Sequence, residues 1–323
     1  MINSKSIRIL IIGYGSIAKK HLAIIKALSF QPDIIILRHS RDCLNSGYAE
    51  CFSLEDAIRW RPTHAIVCTP TSEHLKYVLL LSEAGVLVLV EKPLCDLAAF
   101  SRAEHTKLLP LSENIKVAYP YRFHQIWKDI FQARIHCFPP VWFIDRGYNL
   151  SRWQPNKAGL SGYAANKAMG GGAHMTLCHE LDLFVSLYGR PSSAMGQSYN
   201  TGTLKIDSDE LSIYTLQWSC GVIASFRVDM LRQENTLKII GLTSDSEYRF
   251  EWSSNISINQ PIANTHNNIT SKMYSAESLE LAYRNQLICF LLGYDSSLSD
   301  FQLCSLEDGI LNLDILSTIS PYL

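Results

Sequence analysis

The tightest constraint on this chain is a glycine turn set between an apolar strand and an amphipathic helix. Ile7 and Ile9 to Ile12 lead into Gly13-Tyr14-Gly15-Ser16-Ile17-Ala18, after which Ile17, Leu22, Ile24, Ile25 and Leu28 form one apolar stripe. A strand, a G-x-G-x-x-[GA] turn and a helix in that order are the context in which this pattern binds a dinucleotide. Gly13 permits the tight turn, Gly15 lets backbone approach a diphosphate, and Ala18 lets helix and strand pack closely while the helix N-terminus faces the anion. The same glycines in a chance turn of another α/β protein would carry no such meaning. Their position is what gives them one.

The alternation continues with strands at Ile34 to Leu37, Ala65 to Cys68, Val86 to Val90 and Ile115 to Ala118, separated by helical stretches near Leu54 to Trp60, Ser72 to Ala84 and from about Leu97. Continuous apolar strands between helices mean a parallel sheet covered on both faces. Beyond residue 120 the rhythm changes. Leu211 to Trp218 and Val222 to Val228 flank Ser219-Cys220-Gly221 as an antiparallel hairpin, with further strands at Thr236 to Gly241 and Glu247 to Trp252. Helices are expected from Leu177 to Tyr188, near Glu277 to Leu292 and from Leu306 to Ile319, and a loop from Ser253 to Ser271. At 323 residues the chain suits two domains: a doubly wound Rossmann domain over 1–120, and an α+β domain with a large, mainly antiparallel open sheet over 121–323 that binds substrate and oligomerises.

A free ribose 2′-hydroxyl calls for an acid at the end of the second strand, where this chain has Arg38. Arg38, Ser40 and Arg41 supply cationic and hydroxyl donors suited to a 2′-phosphate, so NADP is preferred over NAD, although Asp42 could reach a ribose. Glu91-Lys92-Pro93 directly follows Val86 to Val90, at the carboxyl edge of the sheet where ligands of doubly wound folds sit. Thr69-Pro70, followed by His74, ends the neighbouring strand and forms the adjoining wall of the cofactor site. Each of these is an ordinary turn or surface residue taken singly; the spacing makes the reading.

Composition narrows the class further. Lys plus Arg is 29 and Asp plus Glu 30, a net charge of −1 without a block of like charge, which disfavours a nucleic-acid partner. Nine cysteines lie scattered without a C-x-x-C pair, and no apolar stretch approaches the length of a membrane span, so a soluble protein of the reducing cytoplasm is expected. The first residues lack a signal-peptide core. Neither a G-x-S-x-G elbow nor a Walker loop is present.

Taken together, Gly13 to Ala18, Thr69-Pro70, Glu91-Lys92-Pro93, Tyr121-Arg122-Phe123-His124, and Gly170-Gly171-Gly172 leading to His179-Glu180-Leu181-Asp182 resemble the Gfo/Idh/MocA oxidoreductase family over essentially the full length. The resemblance implies that Lys92 and His179 flank the substrate carbon that exchanges hydride. His179 then takes the alcohol proton, Lys92 orients the oxygen or itself serves as base, and Asp182 orients the imidazole or binds a hydroxyl. In the family an acid usually stands four residues after the third glycine; here it is Thr176, with His174 as a nearby substitute. A metal at His174, His179 and Asp182 lacks a recognised ligand spacing. Arg122, Arg146, Arg152, Lys157 and Lys167 could meet a carboxylate or phosphate, and Trp153 and Tyr163 could pack on a sugar ring. The expectation is an NAD(P)-dependent dehydrogenase of a sugar, sugar acid or nucleotide sugar, forming a homodimer or homotetramer. A catalytically reduced nucleotide-binding sensor or scaffold is the alternative that Thr176 suggests.

Overall fold

Ile9 to Ile12 are fully buried because the strand they form lies in the middle of a sheet covered on both faces. In the computed structural model, which describes residues 7–40, 46–136, 141–153, 162–253, 263–266, 268–293 and 301–319, that sheet comprises β1 (Arg8–Ile12), β2 (Asp33–Leu37), β3 (Ala49–Cys51), β4 (His64–Val67), β5 (Leu87–Glu91) and β6 (Ile115–Ala118). The strands run parallel in the order β6-β5-β4-β1-β2-β3, and Cys304–Ser305 adds a short antiparallel strand beside β6. The order reverses between β1 and β4, so their carboxyl ends open a crevice where ligands of such sheets bind. The helix Ser16–Lys26 buries Ala18, Leu22 and Ile25 against Ile9, Ile11, Ile36 and Ile66, joined by Leu287, Phe290 and Leu291 from the late helix Ala276–Leu292. Each of the Leu, Ile and Phe side chains among them contributes about 1.5–3 kcal/mol by leaving water.

The chain divides into two units, Met1–Tyr119 with Tyr283–Ile310, and Pro120–Ala282 with Leu311–Leu323. The second holds an eight-stranded sheet of β7 (Val141–Asn149), β8 (Ser193–Tyr199), β9 (Leu211–Gln217), β10 (Ile223–Asp229), β11 (Leu231–Leu242), β12 (Glu247–Ser253), β13 (Ala263–His266) and β14 (Ile269–Tyr274). Its order is β13-β14-β12-β11-β7-β10-β9-β8, antiparallel except where β10 meets β7 and β12 meets β14. Alternation decides its faces. Tyr214 and Leu216 of β9 and Ala224, Phe226 and Val228 of β10 point inward and are buried, while Ile213 of β9 and Phe143 of β7 stay exposed on the outer face. The inner face carries the helix His179–Tyr188, whose Phe184 meets Trp142 and Phe226 edge-on at 5.6 and 5.5 Å.

One expectation is corrected. Part of the stretch expected to be a loop from Ser253 to Ser271 forms β13 and the start of β14. Ile269 to Met273 are only half-buried, so no apolar period marks the strand, and backbone pairing to β12 and β13 specifies it instead. The helix expected from about Leu97 forms over Leu97–Ser101, and Glu104–Asn114 follows as tight 3₁₀ turns containing Pro110. No described helix is long and apolar enough to cross a membrane.

Candidate active site

The nucleotide end is built from backbone. Gly13 has φ +88°, and a Cβ there would stand 3.0 Å from the Cys68 carbonyl oxygen at the end of β4, so only glycine lets the turn pass this close. Gly15 caps the helix Ser16–Lys26 at φ −77° and ψ −170° with no side chain on the free N–H groups, and the space that its Cβ would fill is open. An uncapped helix N-terminus beside open space is the cradle a diphosphate requires, so these residues fit a dinucleotide. The helix capped by Ser53, which accepts from the Asp56 N–H, and the one capped by Asp96, which accepts from Ala99, have no such vacancy. Ser16 is exposed, Ile17 half-buried, and Ala18 lies in the core.

Arg38 follows β2 and is buried, its guanidinium over the Tyr14 ring at 5.0 Å and its Nη1 donating to Glu50 at 2.8 Å. Glu50 also accepts from the Ser46 N–H, and these bonds from Ser46 and Arg38 hold its carboxyl below the ordinary range. Glu50 is the residue that sequence reasoning missed. It reaches Arg38 through the pairing of β3 with β2, which sets Glu50 beside Ile36, and no spacing rule announces that pairing. Ser40 is half-buried, and Arg41 lies outside the described residues.

Thr69-Pro70 ends β4 and Glu91-Lys92-Pro93 ends β5. His74 stands between the two loops, Nδ1 at 2.9 Å from the Pro93 carbonyl and Nε2 at 3.0 Å from the Thr69 carbonyl, and burial lowers its pKa. The Glu91 carboxylate is buried 2.7 Å from Nε2 of His21. Lys92, between them, is half-buried. Gly13 to Ala18, Arg38, Thr69, Pro70, His74, Glu91 and Lys92 are thus brought to the carboxyl ends of β1, β2, β4 and β5.

The chemical end in the second unit is built from buried side-chain pairs. Arg122 donates twice to Asp182, Nε to Oδ2 at 2.8 Å and Nη2 to Oδ1 at 2.7 Å, and Asn312 donates to the same Oδ1 at 2.8 Å. Arg146 meets the fully buried Glu180 at 3.2 Å. Arg122 and Arg146 are therefore already matched by carboxylates within this unit. His174 is 1% exposed and bonds through Nδ1 to Asp209 at 2.8 Å, so it is an interior residue. Gly172 allows this, since at φ +115° a Cβ would fall 1.9 Å from the Asp209 Oδ1. Thr176 is buried in the short helix Ala173–Thr176.

From Gly170 to Val185 the only residue that is not buried is His179. Its ring stacks on Tyr121 at 5.1 Å and 23° between planes, Tyr121 being placed by the turn Pro120–Phe123 and its phenol pKa raised by burial. Tyr163 is half-buried in the turn Tyr163–Ala165, against whose carbonyls Gly171 packs. Arg152 and Lys167 are exposed; the Trp153 side chain and Lys157 lie outside the described residues. Among the described residues no group of three or more His, Cys, Asp or Glu could hold a metal ion.

Strand order and the glycine turn define a Rossmann fold. Residues 7–115 match the Gfo/Idh/MocA model, described as an oxidoreductase family with an NAD-binding Rossmann fold. No curated protein matches the chain by sequence. Solved structures share its whole fold. The WlbA dehydrogenase from Bordetella pertussis, in complex with NADH and UDP-GlcNAcA, superposes with a TM-score of 0.74 at 18% identity over 99% of this chain and 96% of that one. A myo-inositol dehydrogenase from Corynebacterium glutamicum gives 0.73 at 17% identity over 96% and 94%. The scyllo-inositol dehydrogenase from Lactobacillus casei, with NAD(H) and scyllo-inositol, gives 0.72 at 14% over 98% and 96%.

Proposed function

We propose that this protein is a dehydrogenase moving hydride between a nicotinamide dinucleotide and the CH–OH carbon of a sugar, sugar acid or nucleotide sugar. One observation carries the reading: in a buried run from Gly170 to Val185, His179 alone is accessible, and an imidazole is the side chain suited to exchange an alcohol proton near neutral pH. When bound, the nicotinamide ring supplies the acceptor or donor of hydride. His179 takes the hydroxyl proton as the alcohol is oxidised and returns it on reduction, and Lys92 orients the oxygen as a cation. The solved structures bound to inositol or a UDP-sugar suggest the substrate class.

The decisive measurement follows reduced-cofactor absorbance with NAD and NADP against myo-inositol, scyllo-inositol and UDP-N-acetylglucosamine uronate. Lys92→Ala and His179→Ala are expected to bind nucleotide and lose turnover. A wild type that binds nucleotide and oxidises none of these supports the sensor or scaffold reading, which the buried Thr176 in place of an acid favours. NADP is the preferred cofactor on the strength of Arg38. Arg38→Ala should lower the NADP-to-NAD ratio of kcat/KM by about tenfold, the loss of one charge-assisted contact. An unchanged ratio removes the preference.

The same reading extends to a homodimer or homotetramer joined by the outer sheet face, where Met195, Phe143 and Ile213 are 70%, 47% and 44% exposed. Light scattering that returns the mass of one chain rejects it. The thiols of Cys51, Cys68, Cys95, Cys178, Cys220, Cys289 and Cys304 are free, which fits the proposed cytoplasmic setting.

A further inference from the structure

Lys92 is the side chain of its loop proposed to act on substrate, and the residues on either side of it make buried bonds. On one side Glu91, 7% exposed, places Oε1 2.7 Å from Nε2 of His21, which is fully buried in the helix that begins at the glycine cradle. On the other side the Pro93 carbonyl lies 2.9 Å from Nδ1 of His74, 1% exposed, whose Nε2 reaches the Thr69 carbonyl at 3.0 Å. His74 heads the helix His74–Glu83 and so links the loop after β4 to the loop after β5 through one rigid ring. A neutral imidazole donates from one nitrogen only, so a single tautomer bonds one of the two carbonyls at a time. With each nitrogen facing a backbone carbonyl and almost no exposed surface, His74 has little left to offer a ligand. Glu91 is likewise buried and spends one carboxylate oxygen on His21.

We infer that His74 and His21 are positioning residues that clamp the chain on both sides of Lys92 and so fix where its ammonium group stands. The inference rests on the dehydrogenase reading, in which Lys92 orients the reacting oxygen. It reassigns His74 and Glu91 from cofactor contact to loop geometry. Positioning of this kind matters because a misplacement of about 1 Å can lower a rate by roughly 100-fold without altering the chemistry available.

The test compares full-length wild type, His74→Leu and His74→Asn, the second retaining one amide donor. Lys92 modification by trinitrobenzenesulfonate is followed by mass spectrometry, and NADH affinity by fluorescence. His74→Leu is expected to make Lys92 react several-fold faster and to lower kcat by roughly 10- to 100-fold with the Kd for NADH within about twofold of wild type. His74→Asn should fall between the two. If His74→Leu does not fold, His74→Asn alone must show faster Lys92 modification at unchanged NADH affinity. Unchanged Lys92 reactivity overturns the clamp, as does a weakened NADH affinity without any change at Lys92, because the ring would then serve the cofactor. If the wild type turns over none of the three probe substrates, the dehydrogenase reading fails on its own, and the Lys92 modification rates still decide whether the clamp exists.

Discussion

The two units bury their polar groups for different purposes. In the first, His21 holds a loop carboxylate and His74 stands between two loop carbonyls, bonding one at a time, so interior polarity there sets backbone. In the second, Arg122 with Asp182 and Asn312, Arg146 with Glu180, and His174 with Asp209 are side-chain pairs beneath a sheet. A cofactor shared by many proteins is gripped through its diphosphate, which any backbone can do. A particular substrate is told apart by side chains, and those need neighbours to hold them still.

The comparison breaks most visibly at Arg122. If the second unit depends on matched buried charges, Arg122→Ala, which strands Asp182, should cost about 3–5 kcal/mol in denaturant unfolding. A loss below about 1 kcal/mol would show that water reaches the pair. Next comes pH. His124 accepts the Ile126 N–H on Nδ1 and contacts Ser278 through Nε2, and burial lowers its pKa to about 4. The unfolded ring takes a proton near pH 6.5 and the folded one only near 4, so stability present above pH 6.5 should drain away between these values. The full loss is about 3 kcal/mol, and His124→Gln should flatten that slope.

The glycines sharpen the same contrast from the other side. Gly13→Ala meets both a positive φ and the Cys68 carbonyl and should lose about 1–3 kcal/mol along with nucleotide binding. Gly15→Ala meets open space, so unfolding should move by less than about 1 kcal/mol while nucleotide affinity falls about tenfold. Equal destabilisation by both would mean that the cradle is a fold requirement only. The smallest effect belongs to Arg59, whose pairs with Glu55 and Asp56 are largely exposed; Arg59→Ala should change stability by no more than about 0.5 kcal/mol.

Legibility in the sequence followed the same division. The strands of the parallel sheet were readable because burial on both faces writes them as unbroken apolar runs, as at Ile9 to Ile12 and Val86 to Val90. The glycine cradle was readable because backbone requirements leave few residue choices. Strands β13 and β14 were not, since Thr270, Ser271 and Lys272 sit on faces that are half-open to water and carry no period. Glu50 was invisible for another reason: its meaning comes from Arg38, twelve residues away and brought beside it by strand pairing. The partners of Asp182 were hidden likewise, for Arg122 lies sixty positions before it and Asn312 one hundred and thirty beyond it.

The division of the chain at Tyr119, Ala282 and Ile310 has a practical corollary. Two helices, Ala276–Leu292 and Leu306–Ile319, each change allegiance partway along their length. A gene fragment stopping at residue 120 would therefore express the glycine cradle without Leu287, Phe290 and Leu291, leaving a greasy flank where the end of the chain belongs. Anyone wishing to transplant this unit into another protein must carry residues 1–119 together with 283–310 and bridge the missing middle with a linker.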